Sequence, residues 1–298
     1  MNEEGAAAFR SGFVAVLGRP NVGKSTIVNR LVGQKVSIVS DHPQTTRRRI
    51  SGVVNGPGFQ LVLLDLPGFQ RPFDSLTRRM QATVDAALAE VDAALVVLNA
   101  AERFGGGDRF IAAAVRASNA PAVTALNKVD LVAADALAER VAAAEELTGG
   151  EVLPVSALTG EGLQGLAAGL AAAMPEGPVY FPEGTSTDQP VELLVAELIR
   201  EQALAVTREE VPHAVAVEIE SIEERRDRPL VEIEARLIVE HESQKGILIG
   251  KGGVLVKRVG SEARKEIETV LGTPVFLGLR VKVRRRWRRD ESYVERLI

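Results

Sequence analysis

Short apolar runs, nearly continuous, stand at residues 13–17, 61–64, 94–99 and 122–126, and a further strand-like run lies at 151–155. Between them are stretches of helical composition, mostly rich in Ala and Leu, such as 137–147 and 163–174. Such runs suit strands buried on both faces, and their alternation with helices predicts a mostly parallel α/β sheet. The pattern changes at 175–190, where prolines stand at 175, 178, 182 and 190 among Gly, Ser and Thr, a linker composition. Beyond it, 191–207 has helical periodicity. Residues 215–222 and 230–239 alternate as strands, with Val215, Val217 and Ile219 on one side and Val231, Ile233 and Ala235 on one side. A glycine-punctuated helical stretch covers 244–271, and a last strand runs 275–283. The expected organisation is an α/β domain at 1–178, a linker at 179–190 and a smaller α+β domain at 191–298.

Composition narrows the chemistry. The 298 residues include no cysteine, which excludes disulfides, thiol catalysis and cysteine-ligated metal centres. Three histidines leave little for a histidine metal site, and 4% aromatics leave little for base stacking. The net charge of −4 hides an asymmetry. Residues 242–298 carry 14 Lys+Arg against 7 Asp+Glu, a net of +7, which leaves −11 for residues 1–241. A localised basic region on an acidic chain is either a solvated face or an electrostatic footprint for phosphate backbones. No targeting signal and no run of about 18 apolar residues is present, so the expected location is the cytoplasm.

Gly18-Arg19-Pro20-Asn21-Val22-Gly23-Lys24-Ser25 fits G-x-x-x-x-G-K-[ST], follows the run 13–17 and opens the helical stretch that starts at Thr26. That context is what a phosphate-binding loop requires. Its glycines let successive backbone N–H groups converge on phosphate, and the following helix N-terminus adds its dipole. Lys24 suits the β/γ-phosphates and Ser25 suits Mg²⁺. By chance this pattern arises in roughly 1% of chains of this length. Asp65-Leu66-Pro67-Gly68 ends the run 61–64. Asp65 there can hold the metal and Gly68 N–H can meet the γ-phosphate, although such a segment alone is most often a turn. Asn127-Lys128-Val129-Asp130 ends the run 122–126. A buried Asp130 carboxylate can accept guanine N1–H and N2–H₂, a pair adenine lacks. Asn127 and Lys128 would brace base and loop. Ser156-Ala157-Leu158 follows 151–155, where a backbone amide can reach guanine O6.

In this order the motifs resemble the translation-factor-like GTPases, and Pro43-Gln44-Thr45-Thr46-Arg47 resembles the first switch of the Era family. The resemblance implies that Thr46, with Thr45 as the alternative, meets Mg²⁺ and the γ-phosphate together with Ser25 and Asp65. Phe69 stands where many signalling GTPases have the glutamine that orients water, so slow intrinsic hydrolysis is expected. Asn21 matches a loop asparagine that binds K⁺ in potassium-stimulated relatives; otherwise it is a loop residue tolerant of unusual backbone angles.

In the C-terminal region, Ile249-Gly250-Lys251-Gly252-Gly253 contains Gly-x-x-Gly, where a nucleic-acid backbone can approach closely. The order helix–strand–strand–helix–loop–helix–strand resembles a type II KH fold. Lys257 and Arg258 are expected to flank its groove. Arg284, Arg285 and Arg286, with Arg288 and Arg289, surround Trp287, which serves either as a stacking surface or as a packing anchor. The resemblance, covering 13 to about 287, implies a monomeric GTPase using GTP/GDP and Mg²⁺. It further implies assistance to small-subunit assembly, binding of the 3′ end of 16S rRNA, and peripheral association with the inner membrane. The competing expectations are a constitutive RNA binder with a structural nucleotide pocket and a tRNA-modification GTPase, whose further modules 298 residues leave no room for.

Overall fold

The computed structural model describes residues 8–42, 45–68, 74–207 and 211–297. By their contacts they form two compact units. The first comprises Met1–Ser37, Thr46–Arg71 and Met80–Asp188, and the second Ile38–Thr45, Pro72–Arg79 and Gln189–Ile298.

In the first unit the chain runs β1 (Arg10–Leu17), α1 (Lys24–Val32), β2 (Ile50–Gly56), β3 (Phe59–Asp65), α2 (Ser75–Glu90, whose first residues count with the second unit), β4 (Ala93–Asn99) and α3 (Gly106–Ser118). It continues through β5 (Ala122–Asn127), α4 (Ala134–Thr148), β6 (Val152–Pro154) and α5 (Leu163–Ala173). The sheet order is β2-β3-β1-β4-β5-β6; β2 pairs antiparallel with β3 and the other pairs are parallel. Every residue of β4 is buried, as its unbroken apolar run predicts. The sequence pattern missed β2. Its segment, Ile-Ser-Gly-Val-Val-Asn-Gly, carries Ser51 and Gly52 amid its apolar residues, and both are buried. Gly52 is required there by packing: a Cβ would stand 2.7 Å from Val32 Cγ2.

The proline-rich segment is bonded to this unit. Gly177 N–H donates to Phe9 carbonyl (3.1 Å), Ser11 Oγ to Pro178 carbonyl (2.6 Å) and Thr187 Oγ1 to Ser51 carbonyl (2.7 Å). Gln60 Oε1 accepts the N–H groups of Tyr180 and Phe181. A linker composition here forms an ordered strap, because buried Gln60 supplies the hydrogen bonds that the extended backbone needs.

The second unit contains α6 (Val191–Val206), α7 (Val211–Ala214), β7 (Ala216–Glu224), β8 (Val231–Val239), α8 (Glu242–Ile249), α9 (Val254–Leu271), β9 (Val275–Val283) and α10 (Glu291–Leu297). Its sheet is β7-β8-β9, antiparallel then parallel. Ile233, Ala235 and Leu237 of β8 are fully buried against Leu198 and Ile199 of α6 and Val259, Ala263 and Ile267 of α9. On α6, Arg200 pairs with Glu197 (2.6 Å) and donates to the Thr45 carbonyl, while Glu201 accepts Val39 N–H (2.9 Å).

Candidate functional site

The C-terminal ends of β1, β3 and β5 and the loop after β6 carry the sequence motifs, as ligand sites do in open parallel sheets. The loop after β1 is tightly constrained. A Cβ on Gly18 would meet Val97 carbonyl oxygen at 2.7 Å. Gly23 has φ +99, and a Cβ there would sit 2.2 Å from Asn127 Nδ2. Asn21 also lies in the left-handed region (φ 63). Lys24, 7% exposed, curls back so that Nζ donates to the carbonyls of Gly18 (3.1 Å) and Arg19 (3.2 Å). Arg19 turns outward to Asp108 and Glu102, both at 2.8 Å, and so tethers the loop to α3 and its entry. Pro20 lies beside Gly68, Val22 is buried, and Thr26 is the third residue of α1.

Three oxygen-bearing side chains meet beside this loop. Ser25 Oγ donates to Asp65 Oδ2 (2.6 Å), and Thr46 Oγ1 lies 3.2 Å from Ser25 Oγ and 3.4 Å from Asp65 Oδ2. Thr45 instead donates its hydroxyl to the His42 carbonyl (2.5 Å). Asp65 is fully buried, and its Oδ1 has no hydrogen-bond partner. Burial pushes the Asp65 carboxyl up and the Lys24 ammonium down, while each charge opposes the shift of the other. One buried carboxylate with a spare oxygen beside two hydroxyls is a hard-oxygen donor set that fits Mg²⁺ held jointly with phosphate oxygens. Among the described residues no group of three or more His, Asp or Glu forms an all-protein metal cage. Leu66 and Pro67 are buried and Gly68 is half-buried. Phe69 lies outside the described residues, as do Pro43 and Gln44.

The base-reading elements are linked to the phosphate loop. Asn127 Nδ2 donates to Val22 carbonyl (2.8 Å) and its Oδ1 accepts Ala157 N–H (2.9 Å); Lys128 Nζ donates to Asn21 carbonyl (2.7 Å). Ser156 Oγ donates to Asp130 Oδ1 (2.5 Å), leaving the other carboxylate oxygen for a ligand. Val129 is buried, and Leu158 is 69% exposed. Asp130 is exposed, which corrects the expectation of a buried carboxylate. It lies in the single helical turn Val129–Leu131 that follows β5, on the solvent side of that turn.

In the second unit, Gly250, Gly252 and Gly253 have φ of 69, 63 and 79. The turn between α8 and α9 therefore needs glycine at each position. Lys251, Lys257 and Arg258 are exposed, and Ile249 is half-buried. Beside them is an open groove of about 430 Å³. Val256, Lys257, Gly260 and Arg264 of α9 form one wall, and Phe276, Leu277 and Leu279 of β9 the other. Sequence reasoning missed Arg264 and Phe276. Phe276 is 55% exposed on a strand whose alternation places it on the solvent side, and that outward phase was the available signal.

The arginine cluster separates by environment. Arg285 and Arg286 are exposed, whereas Arg284 bonds Asp290 (2.7 Å) and stacks on Tyr293, and Arg288 bonds Glu240 (3.1 Å). Trp287 is not a stacking surface. It is 1% exposed and packs edge-on against Tyr293, and its indole N–H donates to the Ala214 carbonyl (2.8 Å). An amphipathic ring with a buried acceptor in reach serves as an anchor rather than a contact for bases.

Residues 13–128 match the family model described as a 50S ribosome-binding GTPase, and 210–288 match a KH domain. The chain is 46% identical to GTPase Era of Geobacter metallireducens, covering 97% of each chain. It is 48% identical to GTPase Era of Mycolicibacterium smegmatis, covering 97% of this chain and 98% of that one. This chain belongs to the Era family of GTPases. An Era crystal structure in complex with MgGDPNP and nucleotides 1506–1542 of 16S ribosomal RNA superposes with a TM-score of 0.93 at 38% identity, covering 97% of this chain and 98% of that one. A variant of Aquifex aeolicus Era bound to GDP and AlF4− superposes equally well, covering 97% and 99%. Like those relatives, this Era-family chain is a GTPase domain with a mostly parallel sheet followed by a KH domain. No helix among its described residues is long and apolar enough to cross a membrane.

Proposed function

We propose that the protein is a GTP-hydrolysing switch that binds the 3′ end of 16S rRNA and assists assembly of the small ribosomal subunit. The observation that carries the proposal is the meeting of Ser25, Thr46 and Asp65 within 3.4 Å of one another beside the Lys24 loop. Thr46 belongs to the first-switch segment, so its position reports whether a γ-phosphate and metal are present. Loop amides and Lys24 hold the β/γ-phosphates, Gly68 N–H meets the γ-phosphate, and Asp130 accepts guanine N1–H and N2–H₂. Ser25, Thr46 and Asp65 would hold Mg²⁺, which when bound neutralises charge developing on the phosphate oxygens. Phe69 carries no group to orient water, so hydrolysis is slow without a partner or a cation, and Asn21 is the candidate K⁺ residue. RNA lies in the KH groove, with Gly250 to Gly253 admitting its backbone and Lys251, Lys257, Arg258, Arg264, Arg285 and Arg286 meeting its phosphates. The protein acts as a monomer in the cytoplasm, where small subunits are built. A peripheral place at the inner membrane rests on the family resemblance alone.

The test is GTP turnover with and without RNA carrying the small-subunit 3′ sequence. Turnover that Ser25→Ala abolishes, together with RNA binding that survives this change, supports the proposal. Absence of turnover in both conditions overturns it in favour of a constitutive RNA binder.

A further inference from the structure

Arg30 lies in the last turn of α1, six residues beyond Lys24, and no motif includes it. A basic residue there would ordinarily hydrogen-bond its own helix's last carbonyls or interact with the helix dipole. It bonds elsewhere. Arg30 Nε donates to the Ala157 carbonyl (3.0 Å) and Nη2 to the Leu158 carbonyl (2.5 Å). The planar guanidinium thus forks across two consecutive peptide groups of the loop after β6.

The consequence follows from peptide geometry. A trans peptide unit is rigid, with its C=O and N–H pointing in opposite directions. Holding the Ala157 carbonyl therefore sets the direction of Leu158 N–H, and holding the Leu158 carbonyl sets that of Thr159 N–H. Asn127 Oδ1 accepts Ala157 N–H (2.9 Å) and orients the preceding unit. Thr159 N–H in turn donates to Ser156 Oγ (3.1 Å), the hydroxyl that bonds Asp130. Three successive peptide planes are thus fixed by Asn127 and Arg30, and the last of them leads back to the base-reading carboxylate. A cation on a carbonyl also polarises its amide, which makes the N–H of the same unit a stronger donor.

We infer that Arg30 is a positioning residue for guanine recognition: it orients and polarises the Ala157–Leu158 peptide unit, whose Leu158 N–H meets guanine O6, and links the phosphate-binding helix to the base-reading loop. The inference rests on the assignment of Asp130 and the Ser156–Leu158 loop to the base. Arg30 itself is exposed, so its replacement leaves the core unchanged.

The experiment measures displacement of a fluorescent GDP analogue from the full-length protein by GDP and by 6-thio-GDP. The thio compound keeps N1–H and N2–H₂ for Asp130 but offers a poor acceptor in place of O6. Arg30→Ala should weaken GDP about tenfold, as loss of charge-assisted hydrogen bonding does. It should weaken 6-thio-GDP much less, so the preference for GDP over its thio analogue collapses. Arg30→Lys, which can reach one carbonyl but not fork, should fall between. An equal loss for both nucleotides, or no loss, overturns the inference. Asp130→Asn, measured in parallel with xanthosine diphosphate, separates the two levels. If that variant keeps its guanine preference, the base-site assignment fails. If it shifts to xanthine while Arg30→Ala leaves the GDP preference unchanged, only the role of Arg30 fails.

Discussion

Replacing Trp287 with leucine tests the distinction between anchor and RNA contact. The indole is 1% exposed and donates to Ala214 carbonyl at 2.8 Å. The smaller side chain gives up roughly 100 Å² of apolar burial, about 2.5 kcal/mol at about 25 cal/mol/Å². The orphaned Ala214 carbonyl adds about 1–3 kcal/mol. A destabilisation of about 3.5–5.5 kcal/mol is expected in urea unfolding followed by far-UV circular dichroism, comparable to other large-to-small core changes. Folded Trp287→Leu protein should bind RNA as the parent does. Trp287 is the chain's one tryptophan, so selectively excited tryptophan emission reports on it alone. That signal should resist iodide quenching and ignore added RNA. A stacked indole would behave oppositely, since loss of a base–aromatic stack costs about 1–3 kcal/mol of binding. A variant of unchanged stability with a matching loss of RNA affinity would refute the anchor assignment.

Further predictions follow from other parts of the molecule. Asp130→Asn should shift preference from guanine to xanthine nucleotides in competition binding, because the amide presents one donor where the carboxylate accepts two. Gly252→Asp with Gly253→Asp should abolish RNA binding while GTP binding persists; an added Cβ meets no neighbour at either position, while the positive φ costs about 1–2 kcal/mol per residue, so circular dichroism first establishes that the variant is folded. GTP turnover should be faster in KCl than in NaCl, and equal rates would remove Asn21 from K⁺ binding. The hydrogen bond from Arg284, helped by Ser292, lowers the Asp290 carboxyl from 3.8 to about 2. A depressed carboxyl stabilises the fold above its unfolded pKa and loses that contribution as pH falls from about 4 towards about 2. Asp290→Asn should flatten that limb of the stability curve in acid titration.

Much of the nucleotide site was legible because its chemistry is local. A loop that curls around phosphate needs glycine at Gly18 and Gly23, a lysine next to the second glycine, and a helix immediately after, all within eight residues. The runs that became β1, β3, β4 and β5 were equally plain, since burial on both faces leaves a nearly continuous apolar signature. Strand β2 was hidden because Ser51 and Gly52 interrupt its apolar residues, and only the fit of Gly52 against Val32 explains them. The exposure of Asp130 was also unreadable, because a carboxylate's solvent contact depends on which neighbours the fold assembles around it.

The sequence by itself determined the alternation of elements apart from β2, the phosphate loop, the base-reading motif and the glycine turn of the KH domain. Each depends on backbone conformations or short-range spacings that particular residues impose. Tertiary structure alone decided the fates of side chains whose partners lie far along the chain. Trp287 became an anchor because Ala214, 73 residues earlier, offers a carbonyl. Thr46, not Thr45, reached Asp65, and the packing of β9 beside α9 put Phe276 at the edge of their groove. Arg30 looks in sequence like any basic residue ending a helix, and acquires a partner only where the loop after β6, 127 residues on, comes within hydrogen-bonding reach.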